Sequence, residues 1–169
     1  LRAVCVSMAR NGRRRPLSPP SGGAALFLRP LVSWPARTPY VLSMIRPDQL
    51  LRETERGLWC EPGGVYIDPM RPAEQALVTH GHADHARAGH ERVLATPETL
   101  AIMAARYGEA FTPDPVPIGY GERLKIGEVE VSFHPAGHVL GSAQIRLEWK
   151  GLVIGVSGDY KRRRDPTCA

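Results

Sequence analysis

His80-Gly81-His82-Ala83-Asp84-His85 packs three of the chain's six histidines and one carboxylate into six residues. Imidazole nitrogens and carboxylate oxygens are donors that zinc accepts at about 2.0–2.2 Å, so the stretch reads first as a metal site. On an extended segment alternate side chains share a face. His80 and His82 can therefore point at one ion, while Asp84 and His85, at the turn that follows, reach toward a second. The plain alternative, surface histidines in a polar loop, sits poorly with this crowding around an aspartate.

Two later positions could complete the site. His138 lies in the glycine-punctuated turn His134-Pro135-Ala136-Gly137-His138-Val139-Leu140-Gly141-Ser142, and Asp159 follows the apolar strand that ends at Val156. Loops at strand ends are where a rigid sheet gathers distant side chains. His80, His82 and His138 then make a three-histidine site for one zinc, Asp84 and His85 begin a second, and Asp159 bridges the two. Two ions about 3.5–4 Å apart can share a hydroxide and clamp a substrate oxygen, which implies hydrolysis. His134 is expected to support a metal histidine from behind, since Pro135 and Gly137 rule out a helix that would put His134 and His138 on one face. Asp68 either orients the histidine loop in the same way or caps a turn. His90 reads as a solvated residue at a helix end.

These side chains need strands to carry them. Ala76 to Thr79 is apolar and partly β-branched, as a buried strand would be, and Ala83 to Ala88 tolerates a helix. Leu58–Cys60, Val65–Ile67 and Val93–Ala95 read as short strands. Thr96-Pro97-Glu98 reads as a helix start, with apolar residues at helical spacing through Tyr107 and Gly108 as its stop. The proline-rich stretch 112–121 reads as loop. Arg123–Ile126, Val129–Phe133, Ala143–Trp149 and Leu152–Val156 follow as consecutive strands, giving a β-rich α/β layer.

The 169 residues suffice for one domain with a core, and the net charge is +5. That charge is unevenly placed. Residues 1–43 hold seven arginines and no acid, leaving 15 Lys and Arg against 17 Asp and Glu, or −2, for 44–169. Residues 1–43, rich in Arg and Pro, are expected to be a disordered leader, with Met44 as the natural start. Cys5, Cys60 and Cys168 lie far apart and outside any CxxC spacing, so reduced thiols in a cytoplasmic protein are expected. No apolar run is long enough to span a membrane.

His80-Gly81-His82-Ala83-Asp84-His85, then His138, then Asp159, in this order, resembles the metallo-β-lactamase superfamily. Tyr66-Ile67-Asp68-Pro69, Ala136-Gly137-His138-Val139-Leu140-Gly141-Ser142-Ala143 and Ser157-Gly158-Asp159-Tyr160-Lys161 are similar to its β-CASP nuclease branch, closest to the bacterial DNA-ligase-associated exonucleases. Leu94-Ala95-Thr96-Pro97-Glu98-Thr99 and Asp165-Pro166-Thr167-Cys168 are similar to that group as well. The resemblance covers 44–169. It implies the N-terminal half of an αββα sandwich, two zinc ions with His138, Asp84 and Asp159 in catalytic roles, and a nucleic-acid substrate, DNA before RNA. It also implies a link to an ATP-dependent DNA ligase.

The alternatives are an RNA-processing nuclease of the same branch and an inactive remnant or scaffold. Lys161, Arg162, Arg163 and Arg164 directly follow Asp159 and either neutralise backbone phosphates or form a solvated charge run. The family's later acidic motif, its β-CASP insert, its last zinc histidine and the second half of its sandwich do not occur within 44–169. The expectation is therefore a partial domain that keeps one zinc, has little nuclease activity and exposes an apolar sheet face.

Overall fold

Strand alternation decides which way each sheet faces in the computed structural model, which describes the backbone of Val4–Ser7 and residues 45–163. In chain order the elements are β1 (Val4–Ser7), α1 (Pro47–Leu50), β2 (Leu51–Thr54), β3 (Gly57–Cys60), β4 (Val65–Ile67), β5 (Gln75–Leu77) and β6 (Arg92–Ala95). Then come α2 (Pro97–Tyr107), β7 (Asp114–Pro117), β8 (Arg123–Ile126), β9 (Val129–Pro135), β10 (Ala143–Trp149) and β11 (Leu152–Val156).

One sheet runs β2-β3-β4-β5-β6-β7 and the other β1-β11-β10-β9-β8. The main core lies between them: Leu58, Ile67, Leu77 and Leu94 of the first sheet belong to one buried cluster with Val131, Phe133, Ile145, Leu147 and Ile154 of the second. On the opposite face of the first sheet, Ala76, Val78, Val93 and Ala95 pack with Leu100 and Met103 of α2. The architecture is a sheet-rich α/β sandwich with one long helix outside it.

β4, β5, β6 and β7 are parallel. Their C-terminal ends therefore open on one edge, where the chain delivers Asp68 after β4, the histidine loop after β5 and Thr96 after β6. α2 begins as the sequence predicts. Thr96 caps it by accepting from Thr99 N–H, Pro97 takes the first turn, and Gly108 ends it.

Several elements depart from expectation. The prolines of Asp114-Pro115-Val116-Pro117 sit in β7, at the edge of its sheet, where a missing N–H is tolerated. No helix follows the histidine loop. The chain makes a single turn in which His85 N–H and Ala86 N–H both donate to His82 O, at 3.0 and 2.7 Å. Val4–Ser7, inside the expected leader, pairs antiparallel with β11. The β-branched valines of that strand precede the first proline, Pro16; the rest of the leader lies outside the described residues.

The expected apolar sheet face is also corrected. The outer face of the second sheet carries charge, with ion pairs Arg123–Glu130 at 2.7 Å and Arg146–Glu148 at 2.6 Å. Among the described residues the exposed large apolar side chains are Met70, Tyr107, Leu140 and Tyr160, which belong to loops and a helix end. No described helix is long and apolar enough to cross a membrane.

His90 is buried rather than solvated, at 1% exposure. Its Nδ1 accepts from Ala73 N–H at 3.2 Å, and its Nε2 has no partner among the described residues. Burial, then the nearby Arg56 guanidinium, holds its pKa below 6.5. The folded chain thus keeps His90 neutral where the unfolded chain would take up a proton, so this contribution is lost as pH falls below 6.5. His90→Leu removes the acceptor for Ala73 and should destabilise by about 1–3 kcal/mol in denaturant unfolding. Its stability should also fall less steeply than the wild type's on acidification; parallel pH curves would contradict this account.

Candidate metal centre

The site is assembled from both sheets at the rim where β5, β9 and β11 end. His80, His82, His138 and Asp159 each bring one donor atom, and these lie within 4.8 Å of one another. His80 Nε2 is 3.1 Å from His82 Nδ1, which is 3.3 Å from His138 Nε2. Asp159 Oδ2 lies 3.5 Å from His138 Nε2 and 3.9 Å from His80 Nε2. Ligands held at about 2.0–2.1 Å around a tetrahedral ion are separated by about 3.3–3.4 Å, so the imidazole spacings fit one shared divalent ion. The nitrogen and carboxylate donor set fits as well.

A buried relay fixes the proton on His80. Asp68, 3% exposed, accepts from Thr79 N–H through Oδ1 at 2.8 Å and from the Thr79 hydroxyl through Oδ2 at 2.7 Å. With its own proton committed to Asp68, Thr79 Oγ1 is left to accept from His80 Nδ1–H at 3.1 Å. The Nε2 lone pair of His80 then faces the cluster. Burial, together with the neighbouring His85, pushes the His80 pKa down to about 4, and burial lowers that of His138 too. Both are therefore neutral near pH 7, the form that ligates a metal.

His85 and Asp84 stand beside this group rather than in it. His85 Nδ1 donates to Asp68 Oδ2 at 2.8 Å, which turns Nε2 toward Asp84 Oδ2, 3.6 Å away. The Asp68 hydrogen bond raises the His85 pKa. At Asp84 burial is the largest single influence and works upward, but its own backbone N–H together with His85, His80 and His82 outweighs it and holds the carboxyl below its ordinary range. The rings of His80 and His85 are 4.2 Å apart, so the two candidate sites adjoin.

His138 is held by its loop. Ser142 Oγ accepts from His138 N–H and Val139 N–H at 3.0 and 3.2 Å, and the Tyr120 hydroxyl donates to Ser142 O at 2.9 Å. Ala143 N–H donates to Thr79 O at 2.8 Å, tying this loop to the histidine loop across the two sheets. Gly158 brings Asp159 in. At φ +53° and pressed against Thr79, it has no room for a Cβ, which would fall 2.8 Å from that side chain. Lys161, Arg162 and Arg163 follow exposed, with Lys161 N–H donating to Ala136 O at 3.0 Å, whereas Arg164 lies outside the described residues.

His134 is not gathered in. It sits exposed at the end of β9, its ring nitrogen 3.0 Å from Ser132 Oγ, because strand alternation turns it to the outer face. Thr79, Ser142 and Tyr120 carry the site without having been singled out in the sequence. A hydroxyl directly before the first histidine was the one available signal.

No family model matches the chain. Its sequence is 36% identical over 110 residues, 64% of this chain, to a protein of Opitutus terrae named a probable DNA ligase. It is 31% identical over 121 residues, 57% of the chain, to the ribonuclease TTHA0252 of Thermus thermophilus. Over 48 residues, 28% of the chain, it is 42% identical to the endoribonuclease ysh-1 of Neurospora crassa. The matched stretches span 10%, 28% and 6% of those proteins. Among solved structures, a metallo-β-lactamase of Cronobacter sakazakii aligns with a TM-score of 0.38 and 20% identity, over 59% of this chain and 52% of that one.

These relatives bear out the resemblance read from the motif, to the metallo-β-lactamase superfamily on the side of its β-CASP nucleases. His82 contributes the nitrogen common to both short imidazole contacts. His82→Ala should abolish stoichiometric zinc binding in a metal-content measurement after gel filtration; an unchanged zinc content would remove His82 from the ligand set.

Proposed function

We propose that these residues form the metal-binding part of a zinc-dependent phosphodiester hydrolase, a DNA exonuclease working beside a DNA ligase. The observation that carries the reading is the convergence of three imidazole nitrogens and Asp159 on one point, with a basic run directly after it. In this reading His80, His82, His138 and Asp159 hold one zinc, and Asp84, His85 and Asp159 hold a second. Mixed imidazole and carboxylate donors favour zinc over magnesium or calcium, which prefer all-oxygen sites. Bound zinc would make water acidic enough to ionise near neutral pH and would neutralise charge on a phosphoryl oxygen.

The chain's own residues do the rest. Asp68, through Thr79 for His80 and directly for His85, holds the Nδ1 proton of each ring and so aims the two Nε2 atoms at the site. Asp159, its side chain 47% exposed, faces the substrate side of the cluster. Lys161, Arg162 and Arg163 sit where a polyanion approaching Asp159 would meet them, neutralising backbone phosphates without reading bases. A buried free thiol at Cys60 suits the reducing cytoplasm in which such an enzyme would work.

The likeness to the Opitutus terrae protein supports DNA as substrate and a ligase as partner. The ribonuclease names of the Thermus and Neurospora relatives favour the second reading, an RNA-processing nuclease of the same branch.

The test is retention of a single-stranded DNA oligonucleotide by the zinc-loaded chain, with RNA of the same sequence as competitor. Retention should require zinc, weaken with salt and resist the RNA. Replacing Lys161, Arg162 and Arg163 by Ser should flatten the salt dependence by about 0.7 per cation removed. Displacement by RNA at lower concentration than by DNA would favour the second reading. Retention that ignores both zinc and His82→Ala would remove the hydrolase assignment.

A further inference from the structure

The ligands of the candidate centre ride on different sheets, so something must hold the His138 loop at a set distance from His80 and His82. One tie is the backbone bond from Ala143 N–H to Thr79 O. The other is made by side chains. Thr96 and Thr99, at the start of α2 and 1% and 0% exposed, both donate to the carbonyl of Gly141, at 2.6 and 3.1 Å. The two hydroxyls lie 3.0 Å apart.

They reach across 45 and 42 residues of chain to a carbonyl three positions beyond His138. Gly141 is built for this approach. Its φ is +75°, and a Cβ there would fall 2.7 Å from Glu98 Cβ, 2.8 Å from Thr96 Oγ1 and 2.9 Å from Thr99 N. Capping α2 needs only one hydroxyl, that of Thr96. A second buried hydroxyl on the same carbonyl exceeds what helix stability asks.

We infer that Thr96 and Thr99 are positioning residues for the metal centre, a two-hydroxyl clamp by which α2 sets the place of His138 opposite His80 and His82. The inference rests on the metal reading of the cluster and goes beyond it by assigning residues outside the histidine loop and the His138 turn. Thr99 is the cleaner of the two to test, because its hydroxyl takes no part in the cap. Thr99→Val keeps the shape of the side chain and deletes the donor; Thr99→Ser keeps the donor.

The experiment measures zinc affinity by competition with a chromophoric chelator and the visible spectrum of the Co2+-loaded chain, alongside unfolding of the metal-free chain. Thr99→Val should bind zinc about ten- to a hundredfold more weakly and lose the intensity of its tetrahedral Co2+ bands. Thr99→Ser should restore both. If Thr99→Val does not fold, Thr99→Ala is compared with Thr99→Ser in the same way. Wild-type affinity and spectrum in a folded variant lacking the hydroxyl would overturn the clamp, as would failure of Thr99→Ser to restore them. A wild-type chain that binds no zinc would instead overturn the metal reading itself.

Discussion

The carboxylate of Asp68 is the interaction on which the rest of the site depends. Its two oxygens collect three donors, the amide and hydroxyl of Thr79 and the Nδ1–H of His85. It does so at a backbone φ of +45°, which aspartate tolerates better than most residues. Through Thr79 it dictates which nitrogen of His80 carries the proton, and directly it does the same for His85. A buried carboxylate stripped of these partners would be strongly unfavourable, so the ends of β4 and β5 and the turn through His85 are locked as one unit.

Around that unit the sandwich supplies rigidity on one side and openness on the other. His80 is fully buried, backed by Thr79 and Asp68, and cannot swing away. Asp159 and the basic residues after it are exposed, so a ligand can arrive from that side. The His138 loop lies between these extremes, wound on Ser142 and docked on α2. A centre shared by two sheets is sensitive to their relative placement, and the ties across them run through Thr79, Gly158 and the threonines of α2.

Much of this is legible in the sequence because the chemistry resides in residue types. A dense histidine and aspartate loop, a later histidine in a glycine turn and an aspartate at a strand end announce themselves without coordinates. So do the cap and stop of α2 and the alternation of β9 to β11. What was not legible depends on tertiary neighbours. Threonines at 79, 96 and 99 are generic until their partners are known, and His90 gives no sign in one dimension that Ala73 will donate to it from a buried segment. The prolines of β7 conceal a strand that only an edge position permits.

The central claim is that three imidazoles carried by two sheets close on a single divalent ion. X-ray absorption at the zinc edge of the chain loaded with one equivalent of zinc tests this most directly. The account predicts a four-coordinate first shell with three imidazole nitrogens at about 2.0–2.1 Å and one oxygen at about 2.0–2.2 Å. A shell of water oxygens alone, or of no more than one imidazole, would contradict it.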